Sequence, residues 1–474
     1  MKSFVPLLTL FLSVFSLNGI SQTVTDSPWQ KTEKILATIK EPKFPNKVYN
    51  VVSFGAKGDG KTKNTKAIQA AIDKCSTNGG GQVLISKGDY LTGAIHLKSN
   101  VNLHIEANTI LRFSTDPKDY LPVVRTRWEG DDCYNYSPFI YANGQTNIAV
   151  TGKGTLNGQG SVKNWWPWCG STQMGYVKGT PSQLDAKSRP QLKKYNDKQV
   201  PVDKRQFGEG FYLRPQFISF IRCKNIKFED FTIINSPFWV LHPLLSENVI
   251  VRNVTVNSEG PNNDGCDPES CKNVLIENCT FNTGDDCIAL KSGRDYDGRR
   301  ENAPIENVIV RNCNMRMGHG GVSIGSEISG GSRNIFVENC EMSSPELDRA
   351  IRLKTNNSRG GITDGVYVRN IKVGEVKDAV LSINCNYNIK GEGEGKFIPE
   401  IKNVYLQNVT SKKSAYALWL DGIKGITCVD NILISNCVFE GVAKENVMNY
   451  IGKVTLKNVK INDNMYGVEV NSGK

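Results

Sequence analysis

Apolar and polar residues alternate along most of this chain in runs of about five, the pattern of short strands with one buried face. The runs belong to a recurring phrase: Asn, an aliphatic residue, any residue, an aliphatic residue, any residue, Asn, then often Cys or Val. It reads Lys224-Asn225-Ile226-Lys227-Phe228, then Glu247-Asn248-Val249-Ile250-Val251-Arg252-Asn253. It returns as Lys272-Asn273-Val274-Leu275-Ile276-Glu277-Asn278-Cys279 and as Glu306-Asn307-Val308-Ile309-Val310-Arg311-Asn312-Cys313. Four later copies begin near Arg333, Gly365, Lys402 and Asp430. The spacing of roughly 22 to 38 residues is that of a solenoid repeat. Each run ends in Asn, Gly, Ser or Asp, which favour turns. No long amphipathic helix separates the copies, so helical crossovers are not expected. The pattern predicts an all-β fold, a single-domain right-handed parallel β-helix in which the variable spacing reflects loops inserted at the turns.

One helix is expected, near the start. After the strand and glycine turn of Tyr49 to Gly60, Asn64 is placed to cap a helix whose Ile68, Ala71, Ile72 and Cys75 share one face. Such a helix would cover the open end of the coil, where backbone groups and core are otherwise exposed. The organisation predicted is residues 1–21 as a secretory signal peptide, 22–45 as a polar N-terminal extension, and 46–474 as the β-helix. The leader is read from Lys2, the apolar run Phe4 to Phe15, and the small residues around Gly19-Ile20-Ser21. The mature protein is therefore expected to be exported, to the periplasm or outside the cell, with no membrane anchor.

Thirteen cysteines cannot all pair within one chain. Cys279, Cys313, Cys340 and Cys437 each follow the second Asn of the phrase, so a ladder of buried free thiols is expected in place of disulfides. The net charge is +11 with only four histidines. A basic surface suits an acidic polymer, a nucleic acid or an anionic membrane. No nucleic-acid module is present, and the cations are scattered.

The chemistry is concentrated in four short stretches. Asn262-Asn263-Asp264 and Gly284-Asp285-Asp286 lie about one repeat apart, so a coil would stack their carboxylates. Gly318-His319-Gly320 follows, with glycines that permit close approach, and then Arg352-Leu353-Lys354, whose cations share one face of a strand. Clustered carboxylates cannot all ionise easily, which is one way to keep a general acid protonated. Neighbouring aspartates on a strand point to opposite faces, so Asp285 and Asp286 can share a cleft only at a bulge or turn. Each residue also has an ordinary reading: Asp264 as a turn residue, Asp285 and Asp286 as Ca²⁺ ligands, Arg352 and Lys354 as solvated charges.

These four motifs, in this order, resemble the signature of glycoside hydrolase family 28, the polygalacturonases, which carry Asn-Thr-Asp, Gly-x-Asp-Asp or a shortened form, Gly-His-Gly and Arg-Ile-Lys. The resemblance runs from about Tyr49 to the C-terminus, with Asn263 for Thr and Leu353 for Ile. It implies hydrolysis of α-1,4-galacturonosyl linkages in pectin, with Asp285 as general acid, Asp264 and Asp286 activating water, and His319 tuning the acid. It further implies Arg352 and Lys354 gripping the uronate carboxylate and Tyr387 packing on the sugar. Trp239 and His242 are similar to a cleft-wall segment of bacterial members. No cofactor is implied, and the expected partner is an acidic polysaccharide.

A carboxylate pair placed on two different coils is expected to leave room for a water and so to invert the anomeric centre. The insertion from Arg294 to Arg300 resembles those of bacterial exo-acting members. That insertion, the segment from Arg127 to Tyr136 and the tryptophans Trp165, Trp166 and Trp168 are expected to close one end of the cleft, with Arg294, Arg299 and Arg300 holding the terminal galacturonate. Asp131, Asp132 and Asp267 are expected to serve turns. The alternatives are a hydrolase of rhamnogalacturonan-type pectin, a Ca²⁺-dependent lyase, or a non-catalytic polysaccharide-binding solenoid.

Overall fold

The computed structural model describes residues 1, 27–387 and 395–471. The leader segment expected over 1–21 lies outside the described residues apart from Met1. Among the described residues no helix is long and apolar enough to cross a membrane.

The repeated phrase stacks in register. Val249 pairs with Val274, Val274 with Val308, and Val308 with Ile335. The column continues through Val366, Val404, Ile432 and Val454. All these pairings are parallel, and every side chain in the column is buried. The chain is thus a right-handed parallel β-helix, as its pattern predicts. A final antiparallel strand, Asn464–Asn471, closes the C-terminal end against Lys453–Ile461.

The asparagines of the phrase are placed by backbone geometry. Asn225, Asn248, Asn273, Asn307 and Asn334 all have φ between 55° and 58°. That left-handed conformation turns each coil and is tolerated by Asn better than by most residues. Their side chains also bond from coil to coil, each Nδ2 donating to the Oδ1 of the asparagine before it.

All thirteen cysteines are free. The thiol ladder is shorter than expected. Cys279, Cys313 and Cys340 stack, but register places Ile371 and Val409 between them and Cys437.

Helix α1 spans Gln30–Thr38 and α2 spans Thr65–Thr77. In α2 the expected face, Ile68, Ala71, Ile72 and Cys75, is buried against the first coils. Asn64 is its N-cap residue, yet its side chain makes no capping bond and instead ties the preceding turn through Lys57 and Thr62. The stretch expected to be a polar extension contains α1, whose Ile35 packs on the outward-facing Leu275, Ile309 and Phe336. Outside α1, Glu41 pairs with Lys227 and Arg252, so this segment straps the side of the coil.

Candidate active site

Three successive corners of the coil carry the carboxylates and the histidine. Asp264 follows strand Thr255–Ser258, and Asp285 and Asp286 lie between strands Thr280–Thr283 and Ile288–Leu290. His319 lies between Asn314–Met317 and Val322–Ile324. The two adjacent aspartates share one cleft because they occupy a corner, where strand alternation does not apply. The corners are sewn together through backbone bonds. Gly265 N donates to Asp286 O at 3.0 Å, Cys287 N to Gly320 O at 2.8 Å, and His319 N to Asp285 O at 3.1 Å. Gly320 is needed for this approach: a Cβ there would run into Ser323 Oγ and lie 2.9 Å from Asp286 Oδ1. Asn263 fixes the first corner, accepting from Ser258 Oγ at 2.6 Å and from Gly260 N at 3.1 Å.

One oxygen of each carboxylate falls within 4.8 Å of the others. This is closer than the separation expected for inversion, roughly 6.5–9.5 Å. A water bonded to both oxygens still fits, since two hydrogen bonds of about 2.7 Å span roughly 5.4 Å.

The electrostatics distribute the protons differently from the sequence expectation. Burial pushes the Asp285 carboxyl up, but the His319 hydrogen bond at 2.9 Å outweighs it and holds Asp285 below the usual range. The same bond raises His319 to about 9. The pair is therefore an ion pair, with the proton on His319. Asp286 is fully buried, yet Lys354 Nζ at 2.7 Å and Arg352 Nη1 at 3.2 Å hold it far below the usual range. Asp264 is the carboxylate that rises, to about 7, through burial and the Asp285 charge. Its Oδ1 has no protein partner. A divalent cation among these carboxylates would face Lys291, Lys354 and Arg352, which disfavours a Ca²⁺ site.

Lys291 is a component that the sequence reading missed. It is buried, 3.4 Å from Asp264, 3.6 Å from Asp267 and 3.2 Å from Glu327, and 4.5 Å above the Trp239 ring. Its only sequence signal is a cation ending an apolar strand five residues after Asp286. Asp267 was expected in a turn, but it is buried beside Asp264 and Lys291, and burial raises its carboxyl well above the usual range.

The cleft has a volume of about 250 Å³, and its lining includes Asp264, Asp285, Lys291, His319, Lys354 and Tyr387. Trp239 also lines it. Tyr387 faces Arg352 and Lys354 at 5.6 and 5.4 Å. His242 does not reach the cleft: it is fully buried, 2.9 Å from Glu269 and 3.2 Å from Ser219 Oγ.

Arg294 is also not a substrate arm. It is buried, 3.5 Å from Glu129 and 3.7 Å from Asp131. It anchors α3 (Arg189–Asp197), α4 (Asp295–Glu301) and the hairpin Val124–Trp128/Asp131–Asn135 to one another. Arg300 pairs with Asp132 and Asp297, and Arg299 bonds the carbonyls of Ser358 and Arg359. Asp131 and Asp132 are likewise buried ion-pair partners and not turn residues. Burial removes the Arg294 charge from solvent, and carboxylates supplied by the hairpin pair with Arg294 and Arg300. Trp165, Trp166 and Trp168 pack on Tyr120, Phe139, Ser236 and Tyr212 and do not line the cleft. Instead, Glu129 of the hairpin and Arg189 of α3 form the wall of the cleft at that end.

Comparison with known proteins gives the same picture. Residues 204–455 match the profile of glycosyl hydrolases family 28, and residues 48–174 match a profile described as rhamnogalacturonase A/epimerase, pectate lyase-like. The chain is similar to a hyperthermoactive exopolygalacturonase from Thermotoga maritima, at 40% identity and a TM-score of 0.90, covering 94% of this chain and 98% of that one. It is 29% identical to a probable polygalacturonase of Vitis vinifera over 81% of this chain and 74% of the relative. It is 27% identical to the exo-poly-alpha-D-galacturonosidase of Dickeya chrysanthemi over 85% of this chain and 69% of the relative.

Proposed function

We propose, since the chain belongs to glycosyl hydrolases family 28, that it hydrolyses the α-1,4-galacturonosyl linkages of pectin and releases terminal galacturonate, an exo action. The observation that carries this reading is the arrangement of one cleft. The Asp285–His319 pair and Asp264 meet there, Lys354 and Tyr387 line it with Arg352 beside Tyr387, and Glu129 and Arg189 line it from the hairpin and α3.

Asp285 is the group placed against the leaving oxygen, and His319 holds the proton that Asp285 must deliver. When the glycosidic oxygen enters, the proton passes from Nδ1 to the carboxyl and then to the oxygen as the bond breaks. Neutralising Asp285 removes a charge that raises Asp264, which favours the ionised form of Asp264, its own proton passing to bulk water before attack. The ionised Asp264 carboxylate, which lines the cleft, then takes a proton from the attacking water. Asp286 stays ionised under Lys354 and Arg352 and stabilises positive charge building on the sugar ring. Direct attack by water inverts the anomeric centre.

Residues 46–474 act in this reading as one catalytic unit on an acidic polysaccharide, exported to the periplasm or beyond the cell by the leader at 1–21. Product analysis on polygalacturonate with a chelator present tests the proposal. Galacturonate monomer as the sole early product, with slow loss of viscosity, is expected. Mixed oligomers would overturn exo action, unsaturated products would indicate a lyase, and the absence of product would indicate a binding module. Asp285→Asn should lower turnover by roughly 10²–10⁴-fold while the protein stays folded.

A further inference from the structure

The walled end of the cleft carries donors and acceptors that no other described residue uses. Glu129 sits at the hairpin tip with φ 47°, followed by Gly130 at φ 83°. The tip is pressed into place, since a Cβ on Gly130 would lie 2.7 Å from Arg294 Cβ and 2.8 Å from Glu327 Cγ. Arg189, the first residue of α3, donates from Nε to Glu129 Oε2 at 2.6 Å. Among the described residues neither Nη group of Arg189 has a protein partner. Among the described residues no hydrogen bond reaches Glu129 Oε1, while Arg189 and Arg294 both approach Oε2. Both side chains line the same cleft as Asp264 and Asp285.

The direction of the cleft follows from the order of the coils. Asp264, which takes the water proton, comes from the coil before Asp285. His319, Arg352, Lys354 and Tyr387 come from coils after it. The leaving part of the chain therefore lies toward the later coils and the sugar that water attacks toward the Asp264 coil, the side of Arg189: Arg189 N donates to Gln183 O, and Arg214 Nη2 joins Gln183 Oε1 to Asn262 Oδ1. A wall on that side stops the polymer at its non-reducing end, where the last unit carries a free 4-hydroxyl and a carboxylate.

We propose that Arg189 and Glu129 read this terminal unit: the Nη groups of Arg189 take its carboxylate, and Glu129 accepts from its free 4-hydroxyl. The fork of an arginine suits a carboxylate, and one edge of it is already fixed by Glu129. A chain extended at O4 has no proton to donate and meets the carboxylate as an obstacle. The proposal rests on the exo-hydrolase reading above.

The test uses trigalacturonate and its counterpart methylated at the terminal O4, with purified wild type, Glu129→Gln, Arg189→Ala and Arg189→Lys. Wild type is expected to prefer the uncapped oligomer by at least tenfold in kcat/KM. Glu129→Gln should shrink that preference, which a purely structural role would not do. Arg189→Ala should lower kcat/KM on the uncapped oligomer at least tenfold, mainly through KM, and Arg189→Lys should recover part of the loss. A melting curve for each variant separates site effects from loss of the wall. If wild type releases only monomer and the variants keep both its kcat/KM and its preference, the assignment is wrong while exo action stands. If wild type itself cuts the capped oligomer at internal bonds, exo action falls and the proposal falls with it.

Discussion

His319 Nδ1 lies 2.9 Å from Asp285 Oδ1, in a pair where the imidazole and not the carboxyl carries the proton. The consequence is measurable because the chain has only four histidines. Burial lowers the other three, His96, His104 and His242, below the ordinary value. One imidazole should therefore titrate far above the rest, near 9, in an NMR pH series, and Asp285→Asn should return it toward the ordinary range. His319 is raised by folding, so the pair's contribution to stability is complete below the unfolded value near 6.5 and is lost as pH rises through about 9. A His319 signal that titrates with the others would dissolve the ion pair and the proton store with it.

Arg352 and Lys354 carry a second duty that their motif does not reveal. Both hold the Asp286 carboxylate, at 3.2 and 2.7 Å, and Lys354 also lines the cleft. Lys354→Ala should lower kcat as well as raise KM, since it leaves a buried carboxylate short of its nearest cation; the loss in kcat/KM should reach roughly 2–4 kcal/mol. Steady-state kinetics on galacturonate oligomers provide the check. A pure KM effect would mean that the lysine serves only the substrate.

The nearest oxygens of these carboxylates fall within 4.8 Å, a spacing that does not by itself separate inversion from retention. Asp264, which lines the cleft one coil before Asp285, argues for attack by water. Proton NMR of the first product is expected to show the β-anomer. An initial α-anomer would make one of these aspartates a nucleophile and end the inverting scheme.

The coil was legible because its signal is repeated. Each Asn-flanked apolar run says little, but eight in sequence fix the period, the buried face and hence the stacking of Asp264, Asp285 and His319. The wall was legible only as location. The segments around Arg127 and Arg294 are recognisable as insertions, yet the sequence points Arg294 at substrate because a cation in an insertion beside the cleft suits a terminal galacturonate. Its partners, Glu129 and Asp131, lie more than 160 positions earlier, and nothing local to either insertion announces the pairing. Lys291 and Arg189 escaped for the same reason: each is an ordinary cation at the edge of an ordinary element, made functional by what other coils bring to it.

The asparagine column gives a stability test of the repeat itself. Asn307 sits at φ 56°, donates to Asn273 Oδ1 and accepts from Asn334 Nδ2, both at 3.0 Å. Asn307→Gly loses both bonds but keeps the backbone conformation at little steric cost. Asn307→Ala loses the bonds and also places a Cβ in the left-handed region, at roughly 1–2 kcal/mol more. Each lost bond costs about 1 kcal/mol, so the alanine variant should be destabilised by roughly 3–4 kcal/mol and the glycine variant by less. Stability in a solenoid is nearly a sum over neighbouring repeats, so this local loss should appear as a lower thermal midpoint without a change in cleft chemistry. The order wild type, glycine, alanine in melting temperature is the expected result. An alanine variant that melts with wild type would show that neither the column of amides nor the turn conformation holds the coil together.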